Sequence, residues 1–265
     1  HPIRSGLEIV AVNNHDPPAA HAVFAQARII FAQLVTFIDT VVPPGGCAQN
    51  ARLKRVTPKV QKQTCGLVSA IQAVLALSTA SEHVLMMEDD WLLCPNGLFA
   101  LSYFIDKATR YDPRWIALRV SYGFNGIVLR WADMRSLQTH LASGVSRRPP
   151  DHLVYEWFSG ERPETKEYAD RRSFRIFRHN LFYHIGSVST LQPAGRKRST
   201  PGCFSLLYDW LLPSEVFNVT ACSGDDVSPC AEADVSGISN AFPRAPLLQW
   251  SGAAWDGMRP LEPSL

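Results

Sequence analysis

The stretch HVLMMEDDWLLCPNG, His83 to Gly97, decides how this chain is read. An apolar, strand-like run ends in three consecutive acids, Glu88, Asp89 and Asp90, and then returns to Trp91 and Leu92. Adjacent like charges repel, and carboxylates buried without partners are costly. Such a triplet calls for a positive counterpart: arginines, a helix N-terminus or a metal ion. The bland reading is an acidic turn that binds nothing. The apolar run predicts a strand, and Pro95-Asn96-Gly97 predicts the turn that opens a helix over PNGLFALSYFIDKATRY.

Working outward, the same alternation continues in both directions. GLEIVAV (6–12) reads as a strand that stops at Asn13-Asn14-His15-Asp16-Pro17-Pro18, AAHAVFAQARIIFAQ as a helix, and LVTFIDTVVPPGG as a second strand. Lys59 to Leu77 has helical spacing, with an apolar face expected at Leu67, Ile71, Val74 and Leu75. Downstream, RWIALRVS predicts a strand, GFNGIVLR a glycine-interrupted strand or turn, and WADMRSLQTHLASG a short helix. Strands alternating with helices predict an α/β domain. In open α/β sheets ligands bind at the carboxyl ends of strands, where the acid cluster falls. After about Arg196 the chain becomes rich in Pro and Ser, so the expected division is a domain over 1–195 and an irregular extension over 196–265.

Composition narrows the class. The chain has 265 residues, enough for one large domain or two small ones, and a formal net charge of +2 that gives no nucleic-acid footprint. No apolar run approaches the ~20 residues of a membrane span. The chain opens on His1 and reads as a processed chain or a fragment, with any leader or membrane anchor lying outside it. Its six cysteines form no paired metal knuckles. Cys222 and Cys230 bracket CSGDDVSPC, which suits a local disulfide, and Asn218-Val219-Thr220 is a glycosylation sequon. Together they lean towards the secretory pathway; two unpaired loop cysteines in a cytosolic protein are the alternative.

An acidic motif at a strand end can seat a divalent cation that neutralises a diphosphate, as transfer from a nucleotide-sugar requires. Inverting transfer also needs one carboxylate base for the acceptor hydroxyl. In RPPDHLVYEWFSGE, Asp151 opens a predicted helix, where its charge suits the helix dipole, although a first-turn acid is the plainer reading. In HNLFYHIGSVSTL, His184 ends an apolar strand and is followed by Gly186 and the hydroxyls Ser187, Ser189 and Thr190, a loop suited to approaching a phosphate. A lone histidine in an apolar run is more often a core residue.

The order VQKQTCGLVSAIQAVL, EDDW with PNGL, WIALRVSYGFNGIVLR, RPPDHLVYEWF and NLFYHIGSVSTL resembles the N-acetylglucosaminyltransferase IV family and the related GPI-anchor N-acetylgalactosaminyltransferase, over about half the chain. The former are inverting Golgi enzymes of GT-A fold that extend N-glycans on glycoproteins from UDP-GlcNAc. The resemblance implies a GT-A-like mixed sheet flanked by helices, a UDP-sugar donor, a glycan acceptor and a divalent metal, manganese in the first instance. It implies Asp90 and His184 as metal ligands with Asp89 beside them, and Glu88 and Asp89 against the donor diphosphate. Gly123, Phe124 and Gly126 would wall the pocket, with Gly186, Ser187 and Ser189 also at the donor. Asp151 is then the expected base, with Glu156 in reserve. The family carries a further strand before the one GLEIVAV resembles, so the first strand is expected to be lacking and an edge of the sheet bare. Two other readings stand beside this one: a non-catalytic GT-A-like domain that binds glycans or proteins, and a hydrolase with paired carboxylates ~5–10 Å apart.

Overall fold

A computed structural model of the chain describes residues 6–14, 18–41, 47, 56–77, 81–186, 201–207 and 225–229. It is a mixed α/β structure that divides into two compact units, each discontinuous in sequence. One comprises His1–Leu85, Leu129–Arg171 and Ser189–Ala194; the other comprises Met86–Val128, Arg172–Val188 and Gly195–Leu265.

In the first unit, β1 (Ile9–Asn13) and β2 (Val35–Asp39) pair in parallel around the crossover helix α1 (Ala22–Phe31). They form a sheet of their own. Asn13 closes it, donating from Nδ2 to Asp39 Oδ1 at 2.9 Å. The long helix α2 (Pro58–Leu75) starts where the sequence signals it, with Thr57 as N-cap and Pro58 in the first turn. Its buried side is Thr64, Cys65, Gly66, Val68 and Ile71, so of the predicted apolar face only Ile71 is fully buried. Packing against α4 (Met134–Gly144) and α5 (Pro150–Ser159) turns the helix towards Cys65, which is disulfide-bonded to Cys47. Leu137, Leu141 and Leu153 have no exposed surface. At about 1.5–3 kcal/mol for each such side chain, this helical layer supplies much of the unit's stability. A short helix, α6 (Pro163–Ala169), completes it and was not foreseen in the sequence.

The larger sheet has five strands in the order β3 (His83–Met86), β6 (Ile127–Arg130), β5 (Ala117–Arg119), β7 (Phe174–Phe177), β9 (Val227–Ser228). β5 and β7 are parallel and β7 and β9 antiparallel, so the sheet is mixed, as expected. In the second unit, α3 (Gly97–Tyr111) buries Phe104, and Trp115, Leu118 and Phe177 join the same core. Two further strands, β4 (Trp91–Leu93) and β8 (Phe182–His184), form a separate antiparallel ribbon. A second disulfide, Cys94–Cys203, ties the end of β4 to the 201–207 segment. Among the described residues no helix is long and apolar enough to cross a membrane. The sequon and the Cys222–Cys230 loop lie outside the described residues.

Candidate functional site

The three acids follow β3 and separate into three environments. Met86, the last residue of β3, accepts a hydrogen bond from Gly126 N at 3.0 Å, and Glu88 N donates to Asn125 Oδ1 at 3.3 Å. These two bonds fasten the start of the acid run to the Ser121–Gly126 loop. The Glu88 carboxyl is held above its ordinary range by burial first and by the Asp90 charge second. Asp89 is exposed. Asp90 ends the turn and sits next to Trp91, the first residue of β4.

Ribbon geometry then brings a distant histidine to Asp90. Ile185 N donates to Asp90 O and Cys94 N to Leu181 O, both at 2.9 Å. These bonds belong to the alternate pairs of the ladder, so Trp91 and His184, which face each other in register, form a non-hydrogen-bonded pair. Side chains approach most closely in such pairs. The Trp91 and His184 rings accordingly lie 4.7 Å apart between centroids, and Tyr122 meets Trp91 edge-on at 4.6 Å. The same placement puts His184 Nε2 at 2.9 Å from Asp90 Oδ2. Because a carboxylate only accepts, Nε2 is the donor and the imidazole carries its proton there.

Gly186 is fitted to this pair. A Cβ at its position would lie 2.3 Å from Asp90 Oδ2 and 2.8 Å from His184 Nε2. The glycine is needed for space. At Gly126 both reasons apply: φ is +72° and a Cβ would sit 2.7 Å from Ser121 Cβ. Gly123 also has a left-handed φ, +64°, and is exposed, while Phe124 is half-buried. The loop that carries them is stitched from below by Arg119, whose Nε donates to Ser121 O at 2.7 Å and Nη2 to Gly123 O at 3.1 Å. Arg119 and Asn125, both buried, are site-shaping residues that the sequence reading did not single out. Each lies in an apolar strand or turn where its polarity alone could have marked it. Asn125 Nδ2 has no hydrogen-bond partner among the described residues, leaving an unused donor beside the acid run.

Asp90, His184 and Gly186 therefore converge, with Glu88 and Gly126 nearby in the same unit. Asp151 and Glu156 belong to the first unit. Asp151 is half-buried in the first turn of α5, its Oδ1 accepting from His152 N at 2.9 Å. Glu156 is 1% exposed and neutralised internally, in contact with Arg147, with Arg148 Nη1 at 3.1 Å and with His140 Nε2 at 3.2 Å. Burial holds His140 below its ordinary pKa. Ser187 and Ser189 lie outside the described residues.

Among the described residues no group of three or more His, Cys, Asp or Glu gathers as a metal-binding set. The Asp90–His184 pair nevertheless fits a cation that keeps most of its coordination for water and ligand. Two adjacent ligands of an octahedral ion with bonds of about 2.1 Å lie about 3 Å apart. No family model matches the chain, no curated protein is significantly similar to it, and no solved structure matches it.

Proposed function

We propose that the Asp90–His184 pair seats a divalent cation, manganese in the first instance, and that the chain is a metal-dependent inverting glycosyltransferase. In this reading the fold is GT-A-like, and the reaction passes an N-acetylhexosamine, GlcNAc foremost, from a UDP-sugar to a glycan acceptor. The observation that carries the reading is the 2.9 Å contact between Asp90 Oδ2 and His184 Nε2 beneath Gly186, at the carboxyl end of a sheet strand. Two protein ligands and open positions suit an ion that shares itself with substrate phosphates, because such ions are held by one or two side chains plus the diphosphate. When bound, it would neutralise charge on the departing diphosphate.

The residues act as follows. Asp90 Oδ2 and His184 Nε2 would hold the ion. Gly186 keeps the space above the pair open. Asp89, exposed at the turn, adds negative charge to the cation's approach, and the Gly123–Gly126 turn lines the donor side. The order of motifs in the sequence assigns the base to Asp151; Glu156, buried among arginines, has a structural part. Two disulfides suit an oxidising compartment, and the Golgi lumen is the proposed one.

Calorimetric titration of UDP into the full chain, with manganese and then with EDTA, tests the reading. Manganese-dependent binding that disappears in Asp90→Ala is expected. Asp151→Asn should keep that binding and lose transfer from UDP-GlcNAc. UDP binding that ignores EDTA, or that survives intact in Asp90→Ala, would remove the cation from the account.

A further inference from the structure

Asn180 lies four residues before His184, is fully buried and touches neither member of the cation pair. Its side chain is nonetheless bonded on every side. Oδ1 accepts from Ser121 Oγ at 2.9 Å and from Phe182 N at 3.4 Å. Nδ2 donates to Phe182 O at 2.5 Å, Gly202 O at 3.1 Å and Pro201 O at 3.2 Å. The backbone is tied in both directions as well: Asn180 N donates to Ser205 O at 2.9 Å, and Phe204 N donates to Asn180 O at 2.7 Å. The next residue, Leu181, donates from N to Val120 O and accepts from Cys94 N, and Cys94 is bonded to Cys203.

One side chain thus joins the end of β5, the start of β8 and the 201–207 segment. We infer that Asn180 is a positioning residue for the cation pair: it fixes the register of β8 against β4 and so keeps His184 Nε2 on Asp90 Oδ2. The physical reason is the two-residue period of a strand. A slip of one residue would carry His184 to the opposite face and bring in Tyr183 or Ile185, both of which are exposed. The ribbon is only three residues long on each strand, so its own ladder resists such a slip weakly. Asn180 supplies what the short ladder lacks. Its amide serves Phe182 O inside β8 and two carbonyls of the 201–207 segment at once, and an alanine would withdraw the donor from all three.

The inference rests on the cation reading for its consequence but has a readout of its own. The full chain, labelled with 15N, reports the His184 imidazole by NMR without metal, and manganese binding is followed by electron paramagnetic resonance. Asn180→Ala should shift the His184 signals away from the Nε2–H tautomer and weaken manganese at least tenfold. Thr109→Ala removes the acceptor of Trp115 Nε1 in the same unit and serves as the control for lost stability. Its expected result is unchanged His184 signals and unchanged manganese affinity. Should Asn180→Ala not fold, Ser121→Ala withdraws only the donor to Asn180 Oδ1 and is expected to give a smaller shift of the same sign. His184 signals identical to the wild type in whichever of the two variants folds would overturn the inference. Shifted signals in a protein that binds no manganese would instead leave Asn180 in its role and remove the cation reading.

Discussion

Glu88, Asp89 and Asp90 are adjacent in sequence yet end in three different states: half-buried and pushed towards its neutral form, exposed, and paired with His184. Asp90 and His184 were legible as residue types, an acid after an apolar strand and a histidine closing another. Their contact was not, because it spans 94 residues and depends on the β4–β8 register. The side chains that brace the site were missed for a related reason. Asn180 and Asn125 bond to backbone groups distant in sequence, which no local spacing marks, while Arg119 reaches carbonyls two and four residues on, inside a turn whose course the sequence does not spell out. Gly186 gives the sharpest prediction at this scale. Its added Cβ would collide with the ends of the Asp90 and His184 side chains, which can swing aside cheaply. Gly186→Ala should therefore leave the melting temperature within a few degrees of wild type while weakening manganese more than tenfold. Equal manganese affinity in the variant would mean that the pair is not where the ion sits.

Elements with strong periodicity or clear punctuation were readable: β1, α1, β2, α2, α3, α4 and α5 all fall within a few residues of their signals. Four others were not. β4 and β9 have three and two residues, too short for an alternation to register. α6, PETKEYA, has no apolar stripe and is carried by Pro163 in its first turn and Thr165 bonded to Arg162 N. β7, FRIF, hides Arg175 in a buried position, which breaks the apolar run. The polar DDVS segment becomes a sheet edge because α3 holds it. Lys107 Nζ lies 2.5 Å from Asp226 Oδ1 and 2.6 Å from Asp225 Oδ1, while Tyr103 and Tyr111 donate to the same two carboxylates. Burial, and then the Asp226 carboxylate, push Tyr103 up to about 12. Removing one partner leaves buried charge uncompensated, at a cost of about 3–5 kcal/mol. Lys107→Met should lose about that much in urea unfolding and should expose the 225–229 segment to limited proteolysis first. A loss under about 1 kcal/mol would show the cluster to be solvated rather than a clasp.

On the scale of the chain, the two disulfides close loops of very different length, 18 and 109 residues of separation. In the chain-entropy account the longer loop is worth more, about 5 kcal/mol against about 3 for the shorter. The double variant Cys94→Ala/Cys203→Ala is therefore expected to unfold at lower urea than Cys47→Ala/Cys65→Ala. The reverse order would place the stabilisation in local packing around Cys65, which is 1% exposed. The longer bridge also joins the end of β4 to the segment that Asn180 braces, so its loss should lower manganese affinity as well as stability. The proposed seating of a divalent cation on Asp90 and His184 can be observed in a crystal. Crystals grown with manganese and UDP, measured at the manganese absorption edge, test it most directly. An anomalous peak about 2.1 Å from both Asp90 Oδ2 and His184 Nε2 is the expected result. A manganese peak elsewhere on the chain, with the Asp90–His184 hydrogen bond still closed, would contradict it.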